Sequence, residues 1–90
     1  MPVLMIAEVP GLTEEIYGGM VGQLKPVMQA ADGFICHTGG PNPGGGWRVV
    51  EVWESEAEAQ KWFEANVEPN LPPGIKPNRS YHELHTAFTG

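Results

Sequence analysis

Residues 33–63 constrain this chain more than any other stretch, because they spell strand, turn, strand and capped helix with no slack between them. Gly39 to Gly46 carries five glycines and two prolines in eight residues, a composition that reads as a turn region. Residues 34–38 precede it as a strand. Residues 47–54 form another after it, with Val49, Val50 and Val52 supplying β-branched character. Ser55 with Glu58 three positions on forms a capping box, in which the serine side chain and the glutamate satisfy free N–H groups at a helix start. Ala59, Trp62, Phe63 and Val67 give that helix its apolar face.

The flanking segments complete the pattern. Residues 2–9 are a continuous apolar run bounded by Pro10-Gly11, as in a buried central strand. Thr13 is placed to cap a first helix, with Glu14 and Glu15 suited to its positive end. Ile16, Met20, Leu24 and Val27 recur at helical spacing. Gly18, Gly19 and Gly22 each cost that helix about 1 kcal/mol relative to Ala, and Pro26 kinks or interrupts it. Either the glycines allow close packing of helix on sheet, or they make a mobile helix that gates a pocket. Asp32-Gly33 ends it. Four prolines make residues 69–78 a stiff connector, and residues 80–88 form a last, alternating strand. The order is βαββαβ, the ferredoxin-like α+β arrangement, with two helices on one face of a four-stranded antiparallel sheet. Residues 1–90 read as one domain without internal repeats.

Charge and size narrow the function. The net charge is −6, and none of the five basic residues (Lys25, Arg48, Lys61, Lys76, Arg79) neighbours another. Nucleic-acid binding needs clustered cations, so that class is excluded. Cys36 is the only cysteine, which excludes an internal disulfide and a Cys-rich zinc site. No run approaches the ~20 apolar residues of a membrane span, and no basic-then-apolar leader opens the chain, so a soluble, cytoplasmic protein is expected. A domain this small buries only about 60% of its unfolded surface, which favours self-association. Trp47, Val49, Glu51 and Trp53 alternate onto one strand face, too apolar for water, and Val50 and Val52 onto the other. The expectation is that the valines pack on the helices and the tryptophan face meets a second copy, closing a dimeric barrel with a cavity in each half.

Polar groups within the strands carry the chemistry. His37 shares a face with Ile35, opposite Phe34 and Cys36, and is expected to point into the cavity as a general base. The plainer alternative is a strand-end histidine bonded to a loop carbonyl. Glu51, at the centre of its strand, is either an acid/base that orients His37 or a buried structural partner of Arg79, a histidine or a backbone N–H. Trp47 and Trp53, with Tyr81, Glu83 and His85 from one face of the last strand, are candidate substrate contacts. Trp53 suits core or pocket wall equally, and Trp62 suits core. His82 and His85 point to opposite faces and no metal-binding spacing is present, so no metal is expected. The glycine-rich turn lacks a Gly-Lys-Ser/Thr ending and precedes a strand, so it is no phosphate cradle. Cys36 reads as an inert thiol.

Gly33-Phe34-Ile35-Cys36-His37, the run Gly46 to Ser55, the Trp62-Phe63 pair and the late Leu84-His85 together resemble the dimeric α/β-barrel proteins of the antibiotic biosynthesis monooxygenase-like group. The resemblance spans nearly the whole chain. It implies a homodimer and a cavity for a small hydrophobic or aromatic ligand. In some members it implies oxygenation of aromatic polyketide-like or enolisable substrates without a cofactor. Others isomerise or cyclise small molecules, or are non-catalytic binding or stress-related proteins. The haem-degrading branch is disfavoured: Trp62 matches its tryptophan, but Pro72 stands where its histidine belongs, and residues 2–10 contain no asparagine. No cofactor is therefore expected.

Overall fold

Two side-chain caps set the helices. Thr13 Oγ1 accepts from the Ile16 N–H at 3.2 Å and starts α1, Glu14–Gln29. Ser55 Oγ accepts from the Glu58 N–H at 3.2 Å and starts α2, Glu56–Trp62. The Ser55 hydroxyl also donates to the Glu58 carboxylate at 2.9 Å, so this capping pair closes side chain to side chain. The computed structural model describes residues 1–89; Gly90, the last residue of the domain expected over 1–90, lies outside them. The strands are β1 (Val3–Val9), β2 (Phe34–Pro41), β3 (Trp47–Trp53) and β4 (Asn78–Glu83). They form one antiparallel sheet in the order β2-β3-β1-β4, which is the βαββαβ arrangement expected. No helix of the described residues is long and apolar enough to cross a membrane.

Several boundaries move for local reasons. Strand β2 continues through Gly39 and Gly40 to Pro41, pairing with Val49 to Trp47, so the turn is confined to Asn42–Gly46. Gly45 and Gly46 take positive φ there, 103° and 78°. Strand β4 stops at Glu83 because its partner β1 begins at Val3, and the Leu84 N–H bond to the Pro2 carbonyl is the last cross-strand contact. Pro26 sits inside α1 without ending it: the residue four before it, where the ring would clash, is Gly22, whose backbone is free to adjust. After Trp62 the chain widens into a π turn over Phe63–Val67 and tightens into a 3₁₀ turn over Glu68–Asn70.

The core overturns the expected facing of β3. Met5, Ala7, Val9 and Trp47 are buried with Leu12, and Trp53 is buried with Met28 and Ala59, so this strand face lies under the helices. Val50 and Val52, with Leu4 and Ile6, share the opposite, open face and are only partly covered. Alternation sorts residues into two sets but does not say which set looks inward. Bulk decides it, since indoles fill the deep layer beneath helices. The charged residues agree, because Glu8 and Arg48, paired in register, belong to the open set. Close packing at the α1 glycines is likewise not found. A Cβ at Gly18, Gly19 or Gly22 would meet nothing within 4 Å, because the helix turns Tyr17, Met20, Val21, Leu24 and Met28 toward the sheet instead.

Candidate active site

Between the helices and the covered sheet face lies a cavity of about 320 Å³. Met5, Ala7 and Val49 form its floor; Leu24 of α1 and Phe63 and Val67 of the π turn form its walls. The wider π turn keeps Phe63 and Val67 on the same side, and such turns recur at functional sites. The polar lining is sparse: Tyr17, His37 and Glu51 toward one edge of the sheet, Arg79 toward the other, and Lys25 and Gln29 on α1.

His37 reaches the cavity through an irregularity. Phe34 pairs with Trp53 and Cys36 with Val52, leaving Ile35 as the extra residue of a β-bulge. Phe34 and His37 therefore share a face, contrary to the strict alternation that grouped His37 with Ile35. The Phe34 ring meets Trp53 edge-on, with centroids 5.5 Å apart. The next register pair sets His37 beside Glu51.

These residues form a hydrogen-bonded chain. The buried Glu51 carboxylate accepts from His37 Nδ1 at 2.6 Å through Oε2 and from Trp53 Nε1 at 2.8 Å through Oε1. With both oxygens engaged, the carboxylate avoids the cost of unpaired burial. A carboxylate at Nδ1 assigns the proton to that nitrogen, so Nε2 is the acceptor. Tyr17 completes the chain: its hydroxyl donates to His37 Nε2 at 2.5 Å. Burial, and secondarily the Glu51 charge, push the Tyr17 hydroxyl above the ordinary tyrosine range, which keeps it a proton donor. Its ring lies nearly parallel to His37, centroids 5.9 Å apart at 11°, and against Trp47 at 5.1 Å. Gly39 makes room for this, since a Cβ there would collide with the Tyr17 hydroxyl.

The expected site residues divide accordingly. His37 and Glu51 meet at the cavity. Trp53, 0% exposed, is core and holds Glu51 in place. Trp47 is core and backs Tyr17. Tyr81 lies beneath α2, donating to Gln60 Oε1 at 2.7 Å and accepting from Arg79 Nη2 at 2.8 Å. Glu83 and His85 do not reach the cavity: Glu83 is the last residue of β4, His85 lies two residues beyond it, both are exposed, and His85 Nδ1 bonds Thr86 Oγ1. Tyr17 is the residue that sequence reasoning passes over. The Ile16-Met20-Leu24-Val27 spacing points to a helix face one residue off, whereas Ile16 and Val27 are exposed. The series 17, 20, 21, 24 and 28 is equally helical and carries the sole aromatic of α1.

No protein-family model matches this chain, and no curated protein matches it. Among solved structures, the chain is similar to a crystal structure of a "putative monooxygenase" from Shewanella loihica PV-4, with 18% sequence identity over 96% of each chain and a TM-score of 0.61. At that identity the likeness establishes a shared fold.

Proposed function

We propose that this chain is a small-molecule enzyme that removes a proton from a phenolic or enolisable substrate, as a member of the antibiotic biosynthesis monooxygenase-like group. The observation that carries the reading is the Tyr17–His37–Glu51 chain opening onto an apolar cavity. A substrate hydroxyl would give its proton to the Tyr17 oxygen as the Tyr17 proton passes to His37 Nε2. Glu51 then stabilises the imidazolium, and Trp53 fixes Glu51. The apolar walls raise the value of each of these charge interactions. The cavity size suits a molecule of a few rings.

The Shewanella loihica likeness favours oxygenation as the next step. The substrate anion would react with O₂ to give a hydroperoxide. Loss of water from it would leave a carbonyl where a C–H had been, with no bound cofactor. Re-protonation at another atom would make the same site an isomerase or cyclase. Pairing of two chains is part of the proposal: Leu4, Ile6, Val50 and Val52 leave an apolar sheet face that a second copy would cover. The test is a screen of quinols and enolisable ketones with an oxygen electrode. Turnover with oxygen uptake, lost in His37→Ala, is the expected result. Turnover without oxygen uptake selects the isomerase, and turnover untouched by His37→Ala overturns the relay.

A further inference from the structure

Arg79 is the cavity group that the relay leaves unused. It sits on β4 opposite Ala7, at the far edge of the sheet from His37 on β2. Its guanidinium lies over the Phe63 ring, the central carbon 3.9 Å from the centroid, and Nη2 donates to the Tyr81 hydroxyl. Tyr81 is anchored in turn by Gln60. These contacts hold the guanidinium in one orientation but provide no negative charge. Nε is buried without a partner, and among the described residues no lysine or arginine forms a salt bridge.

The charge distribution points the same way. The chain has eleven acidic residues against five basic ones, yet two of the five, Lys25 and Arg79, line this cavity. The one carboxylate there, Glu51, has both oxygens committed to His37 and Trp53. A fixed cation against apolar walls, with a donor unmet and no counter-charge, is an unfavourable arrangement for the empty protein. A ligand anion corrects it, and a guanidinium held in place is well suited to a carboxylate. Three interstrand spacings, about 14 Å, separate the β2 and β4 backbones, and His37 and Arg79 line the one cavity from those two strands.

Resting on the deprotonation reading above, we infer that the substrate is a hydroxyaryl carboxylate or a close equivalent. Its ionisable hydroxyl meets Tyr17 and its carboxylate is bound by Arg79 at the opposite end, with Lys25 adding attraction on α1. Arg79 thus determines specificity, and the relay performs the chemistry.

The probes are 6-hydroxy-2-naphthoate and its methyl ester, in which one added methyl group removes the negative charge, titrated into the full chain by calorimetry. The acid should bind more tightly by about tenfold or more. Arg79→Gln should erase that preference, Arg79→Lys should keep part of it, and Tyr17→Phe should leave it intact. Equal binding of the two probes by the unaltered protein, or binding of neither, overturns the inference without requiring any variant to fold. A preference that survives Arg79→Gln overturns the assignment to Arg79. None of these results depends on turnover, so the relay stands or falls separately on His37→Ala.

Discussion

On β3, Trp47, Val49, Glu51 and Trp53 look toward the helices, while Arg48, Val50 and Val52 look toward the open side. The two sets occupy the same seven residues yet differ in kind. The covered set holds one carboxylate with both oxygens engaged, one by the Trp53 indole and one by His37. The open set holds branched aliphatics and a register-paired charge, Arg48 with Glu8, with nothing aimed at a ligand. One sheet thickness separates the candidate chemistry from the candidate association surface. Neighbouring residues of a single strand are therefore separate handles on the two properties, and substitutions test whether that division is real.

The largest effect is expected at Glu51. Glu51→Gln offers one acceptor oxygen where two donors converge, so either His37 Nδ1 or Trp53 Nε1 faces an amide N–H. Turnover should fall by roughly 10²–10⁴ and stability by about 1–3 kcal/mol, read from steady-state kinetics and thermal unfolding, with the oligomeric state unchanged. A change in oligomeric state would break the division. Next is Tyr17→Phe, expected to lower turnover by roughly 10² while shifting stability by about 1 kcal/mol or less. Gly39→Ala should match that kinetic loss by displacing the Tyr17 hydroxyl, and the double variant should be no worse than either single one.

On the other face, Val52→Lys should turn the proposed dimer into a monomer by light scattering, leaving 6-hydroxy-2-naphthoate binding as it was. Loss of binding would show that the faces are coupled. The smallest effect is alkaline. With its ionisation raised, Tyr17 favours the folded state fully below about pH 10. That contribution is lost as pH rises through the folded-state value, because the unfolded chain gives up the proton first. Tyr17→Phe should flatten this part of the stability curve. Glu51→Gln should move the Tyr17 transition, monitored by ultraviolet absorbance, back toward the ordinary value.

Local features are legible in the sequence and relative ones are not. Thr13 and Ser55 act within a few residues of themselves, and each begins a helix as its chemistry dictates. Gly33, expected to end α1, lies beyond the helix end at Gln29 and its cap at Ala30, in the turn that leads into β2. Gly33 takes φ 83°, and a Cβ there would run into the Glu58 carboxylate, which ties this turn to the start of α2. His37 and Glu51 stand out as polar residues among valines. Which way their face points is not local, although Glu8 and Arg48 in the opposite set carry the hint. Tyr17 resembles any aromatic on an amphipathic helix. Only the space above Gly39, twenty-two positions away in the chain, distinguishes it.

The bulge at Ile35 has an evolutionary meaning. Ile35 is the one residue of β2 without a partner, so the pairing of residues 36–41 with β3 does not depend on it. Losing that codon would leave a regular strand in which Phe34 still faces Trp53 and His37 still faces Glu51. A one-residue change in chain length between α1 and His37 is thus absorbed at the bulge, and the Tyr17–His37–Glu51 arrangement survives it.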